Sequence, residues 1–591
     1  MASSIVLRHP WRYTYSPLKA GEVRMLRFLP GDHPKCELIH VDPDHTLPYA
    51  ALSYTWDDGT NESQTFQNLV VNGGALALPI RENLWRALHV IGSEIMKGGM
   101  YLWLDAVCIN RDDPSERVSQ LLLMPNIYSK ADFVAIWLGE ESENSPRAKE
   151  QIIHLANHLV KVDLAKGSTA RLPIGDRLAS AASHISPGDS ICSNAAGSQA
   201  IWDILNRPWF SRTWIAQEAT GTRKRRFYWG NSWITWEDLA ATSEVAHKLA
   251  HSDVTKLNPF TILDKITEWR KDNINTRRHL LNLLGELRVY DCTDPRDKIY
   301  AIAGLASDLK LGDEPGDIIP NYAKSVEGVY IDFAVTSLLR APPGHELDIL
   351  GYVIRGSPDN EILKDIPSTL PSWVPDWRTK FSIYPFNKYR INTQTDKIQG
   401  PVYHASKNTK FTGFIINGHH LRVRGFVISS IAFLSSPSFV SETSKREPYE
   451  LLAKSWVPPN HTSRHTSSTT VEQEFLQTII ANTIDGSAAI SPIRPQGFDW
   501  NASGIVEAMR KATYGRRFMR TRDGYMGLVP AAAREGDVIC ILLGGQVLYV
   551  IRERERCPGA FEFIGECYVD HMMDGRAYEQ YKGRVQEFII T

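Results

Sequence analysis

The chain has 591 residues, 43% of them hydrophobic and 23% charged, a length and composition that fit two to four soluble domains. Its 66 Lys+Arg against 67 Asp+Glu leave a net charge of -1, which excludes a general electrostatic attraction to nucleic acid or to an anionic membrane. Seven scattered cysteines contain no CxxC pair, so neither a zinc knuckle nor a disulfide framework is indicated, and reduced thiols in an intracellular compartment are expected.

Residues 1–48 read as a lead-in, and "MASSIVLRHPWRYTYSPL" holds no apolar core of signal-peptide length. From Tyr49 the pattern alternates between short apolar runs and helical periods. "YAALSYTW" predicts a strand opening into a polar loop. "FQNLVVNGGALALP" predicts a hairpin, with Asn72, Gly73 and Gly74 at the positive-φ turn. "RENLWRALHVIGSEI" places Leu84, Leu88 and Ile91 at helical spacing, "YLWLDAVCIN" predicts a buried strand ending at a site, and "PSERVSQLLLMPNIYSKA" predicts a helix interrupted at Pro125. "DFVAIWLGE" predicts another buried strand, and the strand–helix–strand order predicts an α/β layer with a parallel sheet. Residues 142–200 are small and polar and read as an insertion in a domain spanning 49–240. "RKRR" (Arg223 to Arg226) reads as a solvated strand edge.

Residues 241–345 are mostly helical in pattern, with "TDPRDK" (Thr293 to Lys298) as an ion-pair and capping segment, Asp294 or Thr293 being the expected cap. Residues 346–457 are mixed, and "LPSWVPDW" is expected to pack Trp373 and Trp377. Residues 458–500 read as a linker and 501–591 as a small β-rich domain of five short strands. The longest apolar stretch, "VICILLGGQVLYVI", is broken by Gly-Gly-Gln and too short to span a bilayer. Phosphate-loop and dinucleotide glycine fingerprints are absent, and no His/Cys cluster points to a metal.

Several ordered blocks carry a resemblance: "YAALSYTW", "NLWRAL", "LWLDAVCIN", Glu116, Arg117 and Gln120, "IYSKADFVAIWLG", "RPWFSRTWIAQE" and "TDPRDKIYAIAGLA". Over roughly residues 49–305 the chain resembles the heterokaryon incompatibility (HET) domain of filamentous fungi, and "GYMGLVP" with "GECYVDHMMDG" resembles the tail that often follows it. Arg111 departs from the family's usual Gln. The resemblance implies a role in programmed cell death and non-self recognition. The family is also distantly similar to TIR-type domains, which implies a flavodoxin-like parallel sheet and, for the TIR members that cleave NAD, a single catalytic glutamate.

Carried onto this chain, that resemblance makes Glu218 the candidate catalytic residue. Breaking the nicotinamide–ribose bond puts positive charge on the ribose, which one carboxylate can stabilise. Ser53 and Tyr54 are candidates for ribose or phosphate contact, Trp56 for stacking on a base, Asp105 for a ribose hydroxyl and Arg212 for the pyrophosphate. Trp214, four residues before Glu218 on a helix entered at Pro208, is a candidate pocket wall. Each has a structural alternative: buried tryptophans, a helix-face acid, a turn cap, an internal ion pair. Cys108 is expected to be a small buried hydrophobe rather than a nucleophile. No cofactor or metal is expected, NAD being a substrate candidate, and the chain is placed in the cytoplasm with a protein partner or a second copy of itself. Two functions compete: an NAD glycohydrolase, and a non-catalytic signalling or adaptor module. In a third version the β-rich tail binds a protein ligand. A carboxylate buried against an arginine, with no cleft near Trp56 and Asp105, favours the adaptor.

Overall fold

In the computed structural model the described residues are 12–591 except 32, 43–46, 57–64, 73–75, 166–194, 222–223, 250–262, 264–278, 313–315, 357–368, 382, 387–389, 392–397, 400–402, 408, 417–418, 436–470, 485–486 and 489–502. Of the expected linker at 458–500, residues 458–470, 485–486 and 489–500 therefore lie outside them, and the described part holds a helix, Val471–Ile479, with Phe475, Leu476 and Ile479 buried; Gly73, Gly74 and Cys192 also lie outside.

The N-terminal half is organised around nine strands: β1 (Val23–Leu29), β2 (Lys35–Val41), β3 (Tyr49–Tyr54), β4 (Phe66–Val71), β5 (Leu76–Arg81), β6 (Tyr101–Trp103), β7 (Phe133–Trp137), β8 (Arg225–Trp229) and β9 (Ser232–Thr235). They form one sheet in the order β5-β4-β2-β1-β6-β3-β7-β8-β9. The centre is parallel: β3 pairs with β6 and β7, and β7 with β8. The sheet is nonetheless mixed rather than wholly parallel, because β1 runs antiparallel to β2 and β6, β4 to β5, and β8 to β9. All six residues of β3 and all five of β7 are buried, as continuous apolar runs covered on both faces should be. The β4–β5 hairpin forms where expected, with Asn72 at φ 51°.

Helix α1 (Glu82–Lys97) lays Leu84, Ala87, Leu88, Ile91 and Ile95 against the sheet. Two local expectations need correction. "YLWLDAVCIN" is not one strand: β6 ends at Trp103, and Asp105–Cys108 turn into a short helix, α2, with the Cys108 N–H donating to Leu104 O at 2.9 Å. Helix α3 (Pro114–Lys130) passes through Pro125 without interruption, since Met124, Ile127 and Tyr128 are buried on either side and hold both turns in place. Its start is capped by Asp113, which accepts from the backbone of Ser115 and Glu116. Of the basic run, Arg223 lies outside the described residues and Lys224 is exposed as expected, but Arg225 and Arg226 belong to a strand that is not an edge. β8 lies inside the sheet, and Arg225 is buried with its guanidinium 3.8 Å from the Trp236 ring centroid.

Further along, helices span Ser145–Ala165, Ala195–Leu205, Trp236–Leu249, Leu280–Glu286, Asp297–Ala303 and Val326–Arg340. Trp373 and Trp377 are fully buried, as "LPSWVPDW" suggested. The C-terminal sheet holds the five expected strands, 516–521, 526–530, 538–542, 548–553 and 560–569. It also takes in 586–590 and the long strand His420–Leu434. That strand pairs with both 516–521 and 538–542, which closes the sheet into a barrel and removes two of its edges. One contiguous apolar core runs through both sheets and the helices between them. No helix among the described residues is long and apolar enough to cross a membrane.

Candidate functional site

Ser53 and Tyr54 end β3, the strand flanked on both sides by parallel neighbours, so they lie where α/β sheets present ligands at strand C-termini. The Ser53 hydroxyl donates to Glu218 Oε2 and accepts from the Trp209 indole N–H at 2.7 Å. Arg212 meets the same carboxylate with both arms of its fork, Nη1 to Oε2 and Nη2 to Oε1, each at 3.1 Å. Both oxygens of Glu218 are therefore occupied, and the residue is only 4% exposed. Burial pushes the Glu218 carboxyl up from its ordinary value, with Arg212 and the Ser53 hydroxyl pulling against that and Asp105 adding to it. Arg212 is held firmly protonated, as Glu218 and Asp105 outweigh its own burial.

The segment carrying these groups is not one helix from Pro208. Pro208–Ser211 is a 3-10 turn, Arg212 is extended, and the helix proper is Ile215–Thr220. The break has a distant cause. Arg212 forms a parallel β-bridge with Asp291, in which the Thr213 N–H donates to Asp291 O at 2.7 Å and the Asp291 N–H to Ser211 O at 2.5 Å. Extension at Arg212 is what lets its side chain turn back onto Glu218, six residues later.

At the outer side, Asp105 opens α2 rather than ending a strand, and its carboxylate is 2.5 Å from Arg111. The Arg111 guanidinium lies 3.9 Å from the Trp56 ring centroid. The position that departs from the family's usual Gln thus bridges two candidate residues and covers the face of Trp56. Tyr54 and Tyr128 are buried phenols pushed well up by burial, and the charges of Asp105, Arg212 and Glu218 act on both. Trp214 is elsewhere: its indole N–H donates to Asp297 Oδ2 at 3.0 Å, and the Tyr322 hydroxyl donates to the other oxygen at 2.7 Å. Cys108 is buried and burial pushes its thiol up, which suits a hydrophobe and not a nucleophile.

The structure thus gathers Ser53, Tyr54, Arg212 and Glu218, sets Trp56 and Asp105 under Arg111, and separates Trp214. Trp209, Arg111 and Tyr128 belong to the same cluster; Arg111 was marked from sequence only as a departure from the family's usual Gln, and Trp209 and Tyr128 were not site candidates. Trp209 sits in "RPWF", where its indole reads as core; only the neighbouring serine makes its N–H informative. Two guanidiniums face two carboxylates here, so each cation is already paired and neither is spare for a pyrophosphate.

The remaining motif residues brace this cluster. Glu116 forms a buried two-point pair with Arg24 at 2.6 and 2.9 Å, and the Gln120 amide donates to Glu22 O at 2.8 Å. Arg117 stacks on Tyr322 with its guanidinium 3.5 Å from the ring centroid. Asp294 accepts from the backbone and guanidinium of Arg296, which is the expected ion pair, but the helix Asp297–Ala303 has Arg296 at its N-cap and no side-chain cap, so the expected capping by Asp294 or Thr293 is not made. In "IYAIAGLA", the Ala301 carbonyl accepts from Gln217, one residue before Glu218, at 2.7 Å.

An α/β sheet domain whose central strand faces a sealed carboxylate, followed by helices and a closed β-barrel, defines the class. Residues 49–218 match the family model of the heterokaryon incompatibility protein (HET), and residues 498–590 match that of the Het-6 beta-barrel domain. The chain carries both domains. It is similar to "Heterokaryon incompatibility protein 6, OR allele" of Neurospora crassa, 23% identical over 650 residues and covering 91% of each chain. No solved structure matches it.

Proposed function

We propose that this is a heterokaryon-incompatibility-type protein of the cytoplasm, acting in non-self recognition and the cell death that follows it. Its HET domain works as a signalling module through assembly with a protein partner or a second copy. The two family matches and the Neurospora relative support the first part. The observation that carries the second is Glu218, buried with both oxygens taken by Arg212 and Ser53. Three of the carboxylate's roughly four acceptor sites are taken, two on Oε2 by Ser53 and Arg212 and one on Oε1 by Arg212, and the side chain is buried, so it is not presented to a ribose.

A second reading, NAD hydrolysis by a TIR-like fold, draws support from where the cluster sits. In chain order the four central parallel strands run second-first-third-fourth across the sheet, the start of the flavodoxin-like order. Ser53 and Glu218 lie where that order reverses, and a carboxyl pushed up by burial is a common mark of functional sites. Catalysis would require Arg212 to release Glu218 and Arg111 to leave Trp56. Cell death on expression in a fungal host with a genetically different partner separates the two, with soluble protein levels matched. Under assembly a folded Glu218→Gln chain still triggers death; under hydrolysis it does not.

A further inference from the structure

A cavity of about 280 Å³ opens between residues 354–356 and the barrel wall. Arg355, Arg534, Arg552 and Glu562 line it, with the buried Ile354 and Ile564 beneath them. Arg552 and Glu562 are direct cross-strand partners between 548–553 and 560–569, so their side chains share one face of the ladder. The Arg552 fork is fixed on Asp537, Nε to Oδ1 at 2.7 Å and Nη2 to Oδ2 at 2.8 Å. Arg355 is fixed on Glu562 at 2.6 Å. Asp537 also accepts from the Arg534 backbone N–H at 2.8 Å and so holds the turn that carries the third arginine. The Arg534 side chain itself is exposed and has no hydrogen-bond or ion-pair partner among the described residues.

We propose that this cavity binds a small phosphate monoester. Three guanidiniums stand against two carboxylates, Glu562 in the wall and Asp537 behind Arg552, which leaves the charge of Arg534 unmatched and available to an anion. Two arginines are held in place by protein carboxylates while the third is free to close on a ligand, an arrangement that keeps the ordering cost of binding low. Arginine forks match phosphate oxygens in geometry, and a phosphate monoester brings a charge of about -1.5 to -2, where a carboxylate brings one. The lining is mainly polar, with Ile354 at 8% exposure as its apolar edge and Ile564 almost wholly buried, so only a short organic part finds a surface to cover. The volume, at the low end of ligand sites, restricts the occupant to a small molecule.

The test is isothermal titration calorimetry of the full chain at low ionic strength with butyl phosphate, inorganic phosphate and butanol. Butyl phosphate is expected to bind, inorganic phosphate more weakly, and butanol not at all. Arg534→Gln should weaken butyl phosphate by roughly tenfold or more, the loss of one charge-assisted contact, without changing the unfolding midpoint, because that side chain has no internal partner to strand. Arg355→Gln should weaken it as well. No heat with butyl phosphate at millimolar concentration, wild-type affinity in Arg534→Gln, or butanol binding as well as its phosphate would each overturn the proposal. Inorganic phosphate binding as tightly as the ester would overturn its assignment to an ester.

Discussion

Replacing Glu218 by glutamine keeps the shape of the side chain and changes what its tip can accept. The carboxylate takes three hydrogen bonds, two from Arg212 and one from Ser53. The amide oxygen can keep the two at the Oε2 position, but the amide NH₂ must then face Arg212 Nη2, donor against donor. Losing one charge-assisted bond costs about 1.5–3 kcal/mol, and breaking a buried pair outright about 3–5 kcal/mol. The Arg212 side chain is 20% exposed, so water can reach it and the lower part of that span applies. We expect Glu218→Gln to destabilise the site by about 2–3 kcal/mol, again within that lower span. Arg212→Gln should cost at least as much, because it leaves the more deeply buried carboxylate unpaired. In the double variant, amide faces amide, and the combined loss should fall short of the sum by about 2 kcal/mol. A 591-residue chain of several domains is not expected to unfold in one step, so the measurement is hydrogen exchange on peptides covering Ile215–Thr220 as urea is raised. A Glu218→Gln chain within about 0.5 kcal/mol of wild type, or single losses that simply add, would refute the view that this carboxylate is an internal strut.

Three further outcomes follow from the same packing logic. Glu566 is buried beside Arg516, and burial pushes its carboxyl up to about 7. Between about 4.5, its ordinary value, and about 7 the native state keeps a proton that the unfolded chain has released. Its contribution is thus complete below the lower value and lost as pH rises through the upper. The wild-type stability of the barrel, read by hydrogen exchange on peptides covering Ala560–Val569 as urea is raised, should fall relative to Glu566→Gln across that window by up to about 1.4 kcal/mol per pH unit, and a difference of the opposite sign counts against it. In Gly304→Ala the new Cβ would lie 2.2 Å from the Gln217 amide nitrogen, so we expect a loss of about 1–3 kcal/mol by hydrogen exchange on peptides covering Asp297–Ala303, partly restored by adding Gln217→Ala. Arg24→Met strands Glu116 in the core and should cost about 3–5 kcal/mol by hydrogen exchange on peptides covering Val23–Leu29; a change near zero would mean that water replaces the guanidinium.

Much of this architecture is legible in local pattern. β3, β7 and α1 follow directly from apolar runs and helical spacing, and the barrel strands after Tyr514 from short β-rich runs between glycine turns. What escapes local pattern is set by distant partners. β1 and β2 join the sheet through β6 and β4, in a stretch read as a lead-in. The strand His420–Leu434 is recognisable only through what it pairs with, since its burial alternates irregularly around a bulge. The helix expected from Pro208 is broken at Arg212 by a bridge to Asp291, 78 residues beyond Thr213. Most of the candidate site was legible as residues: Ser53, Arg212 and Glu218 do meet. Their geometry was not, because Trp214 at helical spacing from Glu218 turns to Asp297, and Arg111 takes the place over Trp56.

The central claim, that the HET domain acts by assembly with Glu218 locked inside, meets its most direct test in one assay. Nicotinamide release from NAD is measured with the purified full chain at concentrations high enough to drive self-association, beside a folded Glu218→Gln variant. The account predicts no release from either. Release by the wild type that disappears in the folded variant would contradict it and make Glu218 the catalytic carboxylate.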